Sequence, residues 1–163
     1  MDFRVFMIKI RIVAVGKVKE KYFADGIEEY SKRLSRFCDF KIIEIKEENF
    51  NGDPTAKDIA DIKRTEGERI EKELKGFVTV AAIEGEKFDS VSFAGELKSK
   101  CDKMGVMTFV IGGSYGVDDE IKRKADRLVS FSDMTFPHTL FRLLLTEQIY
   151  RAFMINGGSA YHK

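Results

Sequence analysis

The sequence predicts an α/β fold built on a parallel-rich sheet with helices on both faces. Three observations carry this reading. Short apolar runs such as 8–15, 77–83 and 107–111 are rich in β-branched residues, as strands buried on both faces are. Longer stretches between them carry apolar residues at helical spacing. The two kinds of segment alternate along the chain, which is the pattern of parallel strands joined by crossover helices.

The first strand is expected over Ile8–Val15, stopped by Gly16. A helix over Lys19–Arg36 follows from Tyr22, Phe23, Ile27, Tyr30 and Leu34, and a second strand from the weaker alternation over Phe40–Ile45. Asn49–Pro54 is a turn cluster, after which Thr55 is a candidate cap for a helix over Asp58–Leu74 with Ile59, Ile62, Ile70 and Leu74 on one side. Phe77–Ile83 is the third strand and Ser90–Met104 the next helix. Met107–Ile111 is the fourth strand, ended by the run Gly112-Gly113-Ser114-Tyr115-Gly116. Asp118–Leu128 reads as a short helix and Val129–Ser132 as a brief strand. Pro137 suits the first turn of a long helix reaching about Met154, with a tail from Asn156 to Lys163. There is no repeat, no low-complexity tract and no linker, so residues 7–163 are expected to form one domain, with residues 1–6 an N-terminal extension ahead of Met7.

Composition excludes several classes of function. No run of about 18 apolar residues exists to suggest a membrane span, and the charged start does not resemble a secretory signal, so a cytoplasmic protein is expected. Cys38 and Cys101 read as free thiols, and with His138 and His162 as the only histidines no zinc-type spacing arises; no metal is expected. Lys plus Arg number 28 against 27 Asp plus Glu, a net charge of +1, which by itself argues mildly against gripping many phosphates.

Ligands of parallel sheets sit beyond the carboxyl ends of the strands, which points to the loops after Ile83, Ile111 and Ser132. The glycine run lacks the Gly-Lys-Ser/Thr of a Walker loop and is not a G-x-G-x-x-G fingerprint. Asp118 and Asp119 would repel a phosphate placed on the amides that follow it. Two readings remain: a tight strand-to-helix turn capped by Asp118, or a loop whose bare backbone approaches a ligand without phosphates.

In the last helix His138, Arg142 and Thr146 step by four and share a stripe apart from the broad apolar face, while Glu147 and Arg151 are spaced to pair. His138 fits a locally bonded helix-entry histidine as well as a functional one, and Arg142 and Arg151 fit a solvated face. Tyr161-His162-Lys163 is either a frayed tail or a group able to stack on a base, handle a proton and meet a phosphate.

Four motifs in order, Phe109–Gly116, Ser130–His138, Glu147–Phe153 and the closing Tyr161-His162-Lys163, resemble the RlmH-type family of SPOUT ribosomal RNA methyltransferases. Val15-Gly16-Lys17 and Glu20-Lys21-Tyr22 match as well, so the resemblance runs from Met7 to Lys163. It implies a deep trefoil knot near the C-terminus, a feature rare among folds. It also implies a homodimer with its site at the subunit interface. The implied activity is methyl transfer from S-adenosylmethionine to N3 of a pseudouridine in helix 69 of large-subunit (23S) ribosomal RNA, on the assembled ribosome.

By the same resemblance, cofactor contacts fall on Ala81, Gly112 and the run Phe131, Ser132, Asp133, Met134, Thr135 and Phe136. Ala81 departs from the family, where larger aliphatic residues are usual, and so does the extension 1–6. The target nitrogen carries a proton, so a base or a local positive field is expected to help remove it. His162 is the expected proton handler, Arg142 an electrostatic stabiliser and Tyr161 a stacking platform. Two rival functions stand beside this one: a non-catalytic ribosome-binding factor of the same fold, and a small nucleotide-binding α/β protein.

Overall fold

A computed structural model describes residues 7–163; the extension 1–6 lies outside the described residues. The chain runs β1 (Lys9–Val15), α1 (Lys21–Leu34), β2 (Asp39–Ile45), α2 (Ala56–Glu71), β3 (Phe77–Lys87), α3 (Ser90–Met104), β4 (Val106–Ile111), α4 (Asp119–Lys124), β5 (Arg127–Ser130) and α5 (His138–Asn156). The strands form a five-stranded sheet in the order β2-β1-β4-β3-β5, and every neighbouring pair is parallel.

Side chains alternate across the central strands and so feed two cores. Ile10, Ile12 and Ala14 of β1 pack with Met107 and Phe109 of β4 under Leu34 of α1, Leu97 of α3 and Leu145 and Ile149 of α5. Val13 and Val15 face the other way, with Val80 and Val110, against Ile70 of α2 and Ile121 of α4. Helices therefore cover both faces, as expected. Cys38 and Cys101 are free and buried in the first of these cores, where burial pushes their thiols up to about 12 and about 11. Thr55 does cap α2: its hydroxyl accepts from the Asp58 amide at 3.2 Å while the Asp58 carboxylate accepts from the Thr55 amide at 2.8 Å.

Three elements differ from expectation. The short helix stops at Lys124 rather than running to Leu128, and the last strand starts at Arg127 and ends at Ser130. The reason is tertiary: the Asp126 amide donates to the Val78 carbonyl at 2.9 Å, and the Asp126 carboxylate accepts from the Val78 amide at 2.8 Å. These bonds pull residues 125–127 out of the helix and into line with β3. The third strand extends past Ile83 to Lys87.

That extension crosses β5. Ala81 pairs with Val129, and after a jump in register Glu86 pairs with the same residue, so residues 82–85 leave the sheet and arch over β5. Gly85 makes the crossing possible, since a Cβ there would lie 2.6 Å from the Val129 main chain. No helix of the described residues is long and apolar enough to cross a membrane.

Candidate active site

A cleft of about 750 Å³ opens beyond the carboxyl ends of β3, β4 and β5, bounded by residues 81–84, 111–117, 129–132 and 134–138 with Lys122 and Phe141. Its walls come from three loops, and each is shaped by local chemistry. The arch 82–85 follows from the β5 crossing. The glycine loop turns back on itself, with the Gly116 amide donating to the Gly113 carbonyl at 3.1 Å and Gly116 at a φ of +86°. Gly112 sits so close to this turn that a Cβ would lie 2.6 Å from the Gly116 carbonyl carbon.

The third wall, between β5 and α5, has no regular structure but is pinned at several points. Ser130 Oγ donates to the Ser132 carbonyl and Ser132 Oγ accepts from the Met134 amide, both at 2.9 Å. The Phe131 ring packs on Phe141 and Phe93, with centroids 4.8 and 5.9 Å apart.

Of the residues expected to meet a cofactor, Ala81, Gly112, Phe131, Ser132, Met134, Thr135 and Phe136 line this cleft. Asp133 is not among them, because its exposed carboxylate turns outward to pair with Lys87. The small Ala81 side chain leaves main chain and neighbouring Ile83 and Val129 as the wall at that point. Asp118 precedes α4 but makes no side-chain cap, so the turn is held by its own backbone.

The residues expected to catalyse lie elsewhere. Arg142 is buried at 2 % exposure: its guanidinium donates to Glu44 at 2.8 Å and to the Gly16 carbonyl at 3.0 Å. Those bonds tie α5 to the ends of β1 and β2, so within one chain the Arg142 guanidinium, expected to stabilise charge on a target base, is occupied as a structural tie. Its stripe neighbour Thr146 is buried too, donating to the Arg142 carbonyl at 2.7 Å. His138, at the head of that stripe, does line the cleft.

Tyr161 and His162 fold against the opposite flank of α5. The Tyr161 hydroxyl donates to Glu147 at 3.1 Å, and the Arg151 guanidinium lies 4.8 Å over its ring. Burial, with hydrogen bonds to Tyr30 and Glu147, raises this phenol above its ordinary range. His162 is exposed, with Nδ1 3.3 Å from Arg151 Nη1. Neither tail residue lines the cleft of its own chain.

Two features of the site are not among the residues expected from the sequence. Glu66, only 4 % exposed, sits under the glycine loop, accepts from the Glu48 amide at 3.1 Å and packs against Gly113; burial raises its carboxyl above the usual range. Its position was legible, since Ile62, Glu66 and Ile70 step by four along the apolar stripe of α2. The other is an ion pair at the cleft mouth, Lys122 Nζ to Glu84 Oε1 at 2.6 Å, which joins α4 to the arch across 38 positions of sequence. No spacing rule predicts such a pair.

The family model described as "Predicted SPOUT methyltransferase" matches residues 8–162. The chain belongs to the SPOUT methyltransferase family. Relatives named "Ribosomal RNA large subunit methyltransferase H" in two Streptococcus pyogenes strains, Manfredo of serotype M5 and MGAS8232 of serotype M18, are each 49% identical over 160 residues, covering 96% of this chain and all of theirs. Among solved structures, a probable methylase family protein from Haemophilus influenzae Rd KW20 superposes with a TM-score of 0.55 at 12% identity, over 94% of this chain and 70% of that one, which bears on the SPOUT fold alone.

Proposed function

We propose that this SPOUT methyltransferase uses S-adenosylmethionine to methylate N3 of a pseudouridine in helix 69 of large-subunit ribosomal RNA, on the assembled ribosome in the cytoplasm. The observation that carries the reading is the full-length match, at 49% identity, to relatives named for methylating that RNA. The position and nucleotide rest on the four sequence motifs described above.

The cleft suits the cofactor. A Cβ would fill the space at Gly112, the walls at Ile83, Ile111, Val129, Phe131 and Phe136 are apolar, and main chain is exposed between them for an adenine edge. Asp118, Asp119 and Glu120 precede or open the one helix that starts at the glycine loop, which disfavours phosphates and is indifferent to an adenosine that carries none. Ala81, Gly112, Phe131, Ser132, Met134, Thr135 and Phe136 are the residues that would hold it. When bound, S-adenosylmethionine supplies a methyl group already activated on a sulfonium.

What remains for the protein is alignment, exclusion of water and removal of the N3 proton. Within one chain no tail residue reaches the cleft, so the reading requires a homodimer in which the tail of one copy serves the cleft of the other. The α1–α5 flank supports this: Phe37 is 41% exposed, and the rings of Phe37, Tyr30, Tyr150 and Tyr161 form a contiguous cluster. His162 then handles the proton and Tyr161 offers its ring to the base, with Arg151 and Glu147 positioning both. A near-neutral monomer also suits docking on a composite surface rather than on one basic face.

The experiment is methylation of ribosomes lacking the modification, with the methylated nucleotide mapped by mass spectrometry. Methyl transfer to the helix 69 pseudouridine is the expected result. Methylation of another nucleotide would overturn the target assignment, and ribosome binding without methyl transfer would favour a non-catalytic factor.

A further inference from the structure

Glu84, Lys122 and His138 carry the ionisable acid and base groups among the side chains that line the cleft, apart from the Tyr115 phenol. Two of these three form one pair. Glu84 projects from the arch 82–85 and Lys122 from α4, so their contact spans the mouth from one wall to the other. The Lys122 side chain is 20% exposed and that of Glu84 52%, which leaves the carboxylate with free acceptor positions toward the opening.

We infer that Glu84 is the specificity-determining residue of the cleft, its carboxylate accepting both ribose hydroxyls of an adenosine ligand, with Lys122 the positioning residue that holds it in place. The inference rests on the cofactor reading above and adds to it the group that recognises the sugar. The chemistry selects among the polar parts of such a ligand. A carboxylate only accepts, and a vicinal diol offers two donors at matching spacing. An ammonium group of the ligand is a poorer fit, because Lys122 already neutralises Glu84 and would repel a second cation at that point. A phosphate is a poorer fit again, because the carboxylate and the acidic residues at the start of α4 face it. The pair thus separates a bare adenosine from a nucleotide with one carboxylate, while apolar walls hold the base.

The test is calorimetric titration of S-adenosylhomocysteine and of its 2′,3′-dideoxyribose analogue into the intact protein, wild type, Glu84→Ala, Glu84→Gln and Lys122→Met. Both side chains are at the surface of the mouth, so the variants keep the fold. The wild type is expected to bind the ribose ligand about tenfold more tightly than the analogue, the size of a charge-assisted hydrogen bond. Glu84→Ala is expected to lose that factor on the ribose ligand and to bind the analogue as the wild type does, with Glu84→Gln between. Lys122→Met is expected to shrink the ribose-to-dideoxyribose ratio, a readout that a general weakening of the arch would leave unchanged. Equal losses of both ligands in Glu84→Ala, or no loss of either, would overturn the inference while leaving the cofactor reading in place. Failure of the wild type to bind S-adenosylhomocysteine at all would overturn both.

Discussion

The cleft and the tail make opposite use of the same polypeptide. The cleft is built from main chain: an arch, a glycine turn and an irregular segment, each held by backbone contacts and small side chains such as Gly112 and Gly85. The tail is built from functional groups, with Tyr161 and His162 laid on Glu147 and Arg151 along the flank of α5. A backbone site binds a ligand by shape and tolerates changes such as Ala81, whereas a site of polar side chains is sensitive to each one. Under the proposed function, binding and reaction fall to separate parts of this chain, and a second copy is what would unite them.

Four substitutions break or sharpen that contrast. His162→Ala is expected to cost about a hundredfold or more in methyl transfer, the usual weight of a proton-handling group, with S-adenosylhomocysteine affinity unchanged; a parallel loss of affinity by calorimetry would place His162 in the cofactor cleft instead. Arg142→Met removes a buried guanidinium and is expected to lower stability by about 2–3 kcal/mol, less than a fully enclosed pair because Glu44 keeps contact with water. Denaturant unfolding measures that loss. Methyl transfer per folded molecule should stay close to wild type, and a large specific loss in kcat would restore Arg142 to the reacting centre.

Gly112→Ala probes the other side of the contrast. Its Cβ forces the turn at Gly116 to open, so cofactor affinity is expected to fall about tenfold or more and the melting temperature to drop by a few degrees. Unaltered binding would show that the glycine loop does not touch the ligand. The smallest effect is expected from Glu66→Gln. The Glu66 carboxyl is raised in the folded protein by burial, so its ionisation opposes folding: stability is full at low pH and falls as pH rises from the ordinary carboxylate range through the raised folded value. Glutamine keeps the acceptor for the Glu48 amide without that charge. Thermal melts should therefore show the variant gaining on wild type in neutral buffer and matching it in acid; a variant less stable at neutral pH would mean the charge itself holds the glycine loop.

Much of this architecture was legible because it depends on local pattern. The β-branched runs of β1 and β4 and the capped start of α2 fall close to where periodicity and Thr55 place them. What escaped depends on contacts distant in sequence. Residues 120–125 are good helix formers, and the Asp126–Val78 bonds, 48 positions apart, end the helix early. The arch over β5 has no local signal except Gly85. In α5, spacing placed His138, Arg142 and Thr146 on one stripe, but not that β1 and β2 would cover most of it, turning an expected charge stabiliser into a buried tie. The positions of the cofactor segment came from family motifs, and periodicity alone would have left 131–137 as a loop.

The most direct test of the central claim is calorimetric titration of S-adenosylmethionine into the purified protein, with ATP as the control. Saturable binding without a response to ATP is the predicted result. Binding of ATP with none of S-adenosylmethionine would contradict the account, because it would make the glycine loop a phosphate site and leave the cleft without its cofactor.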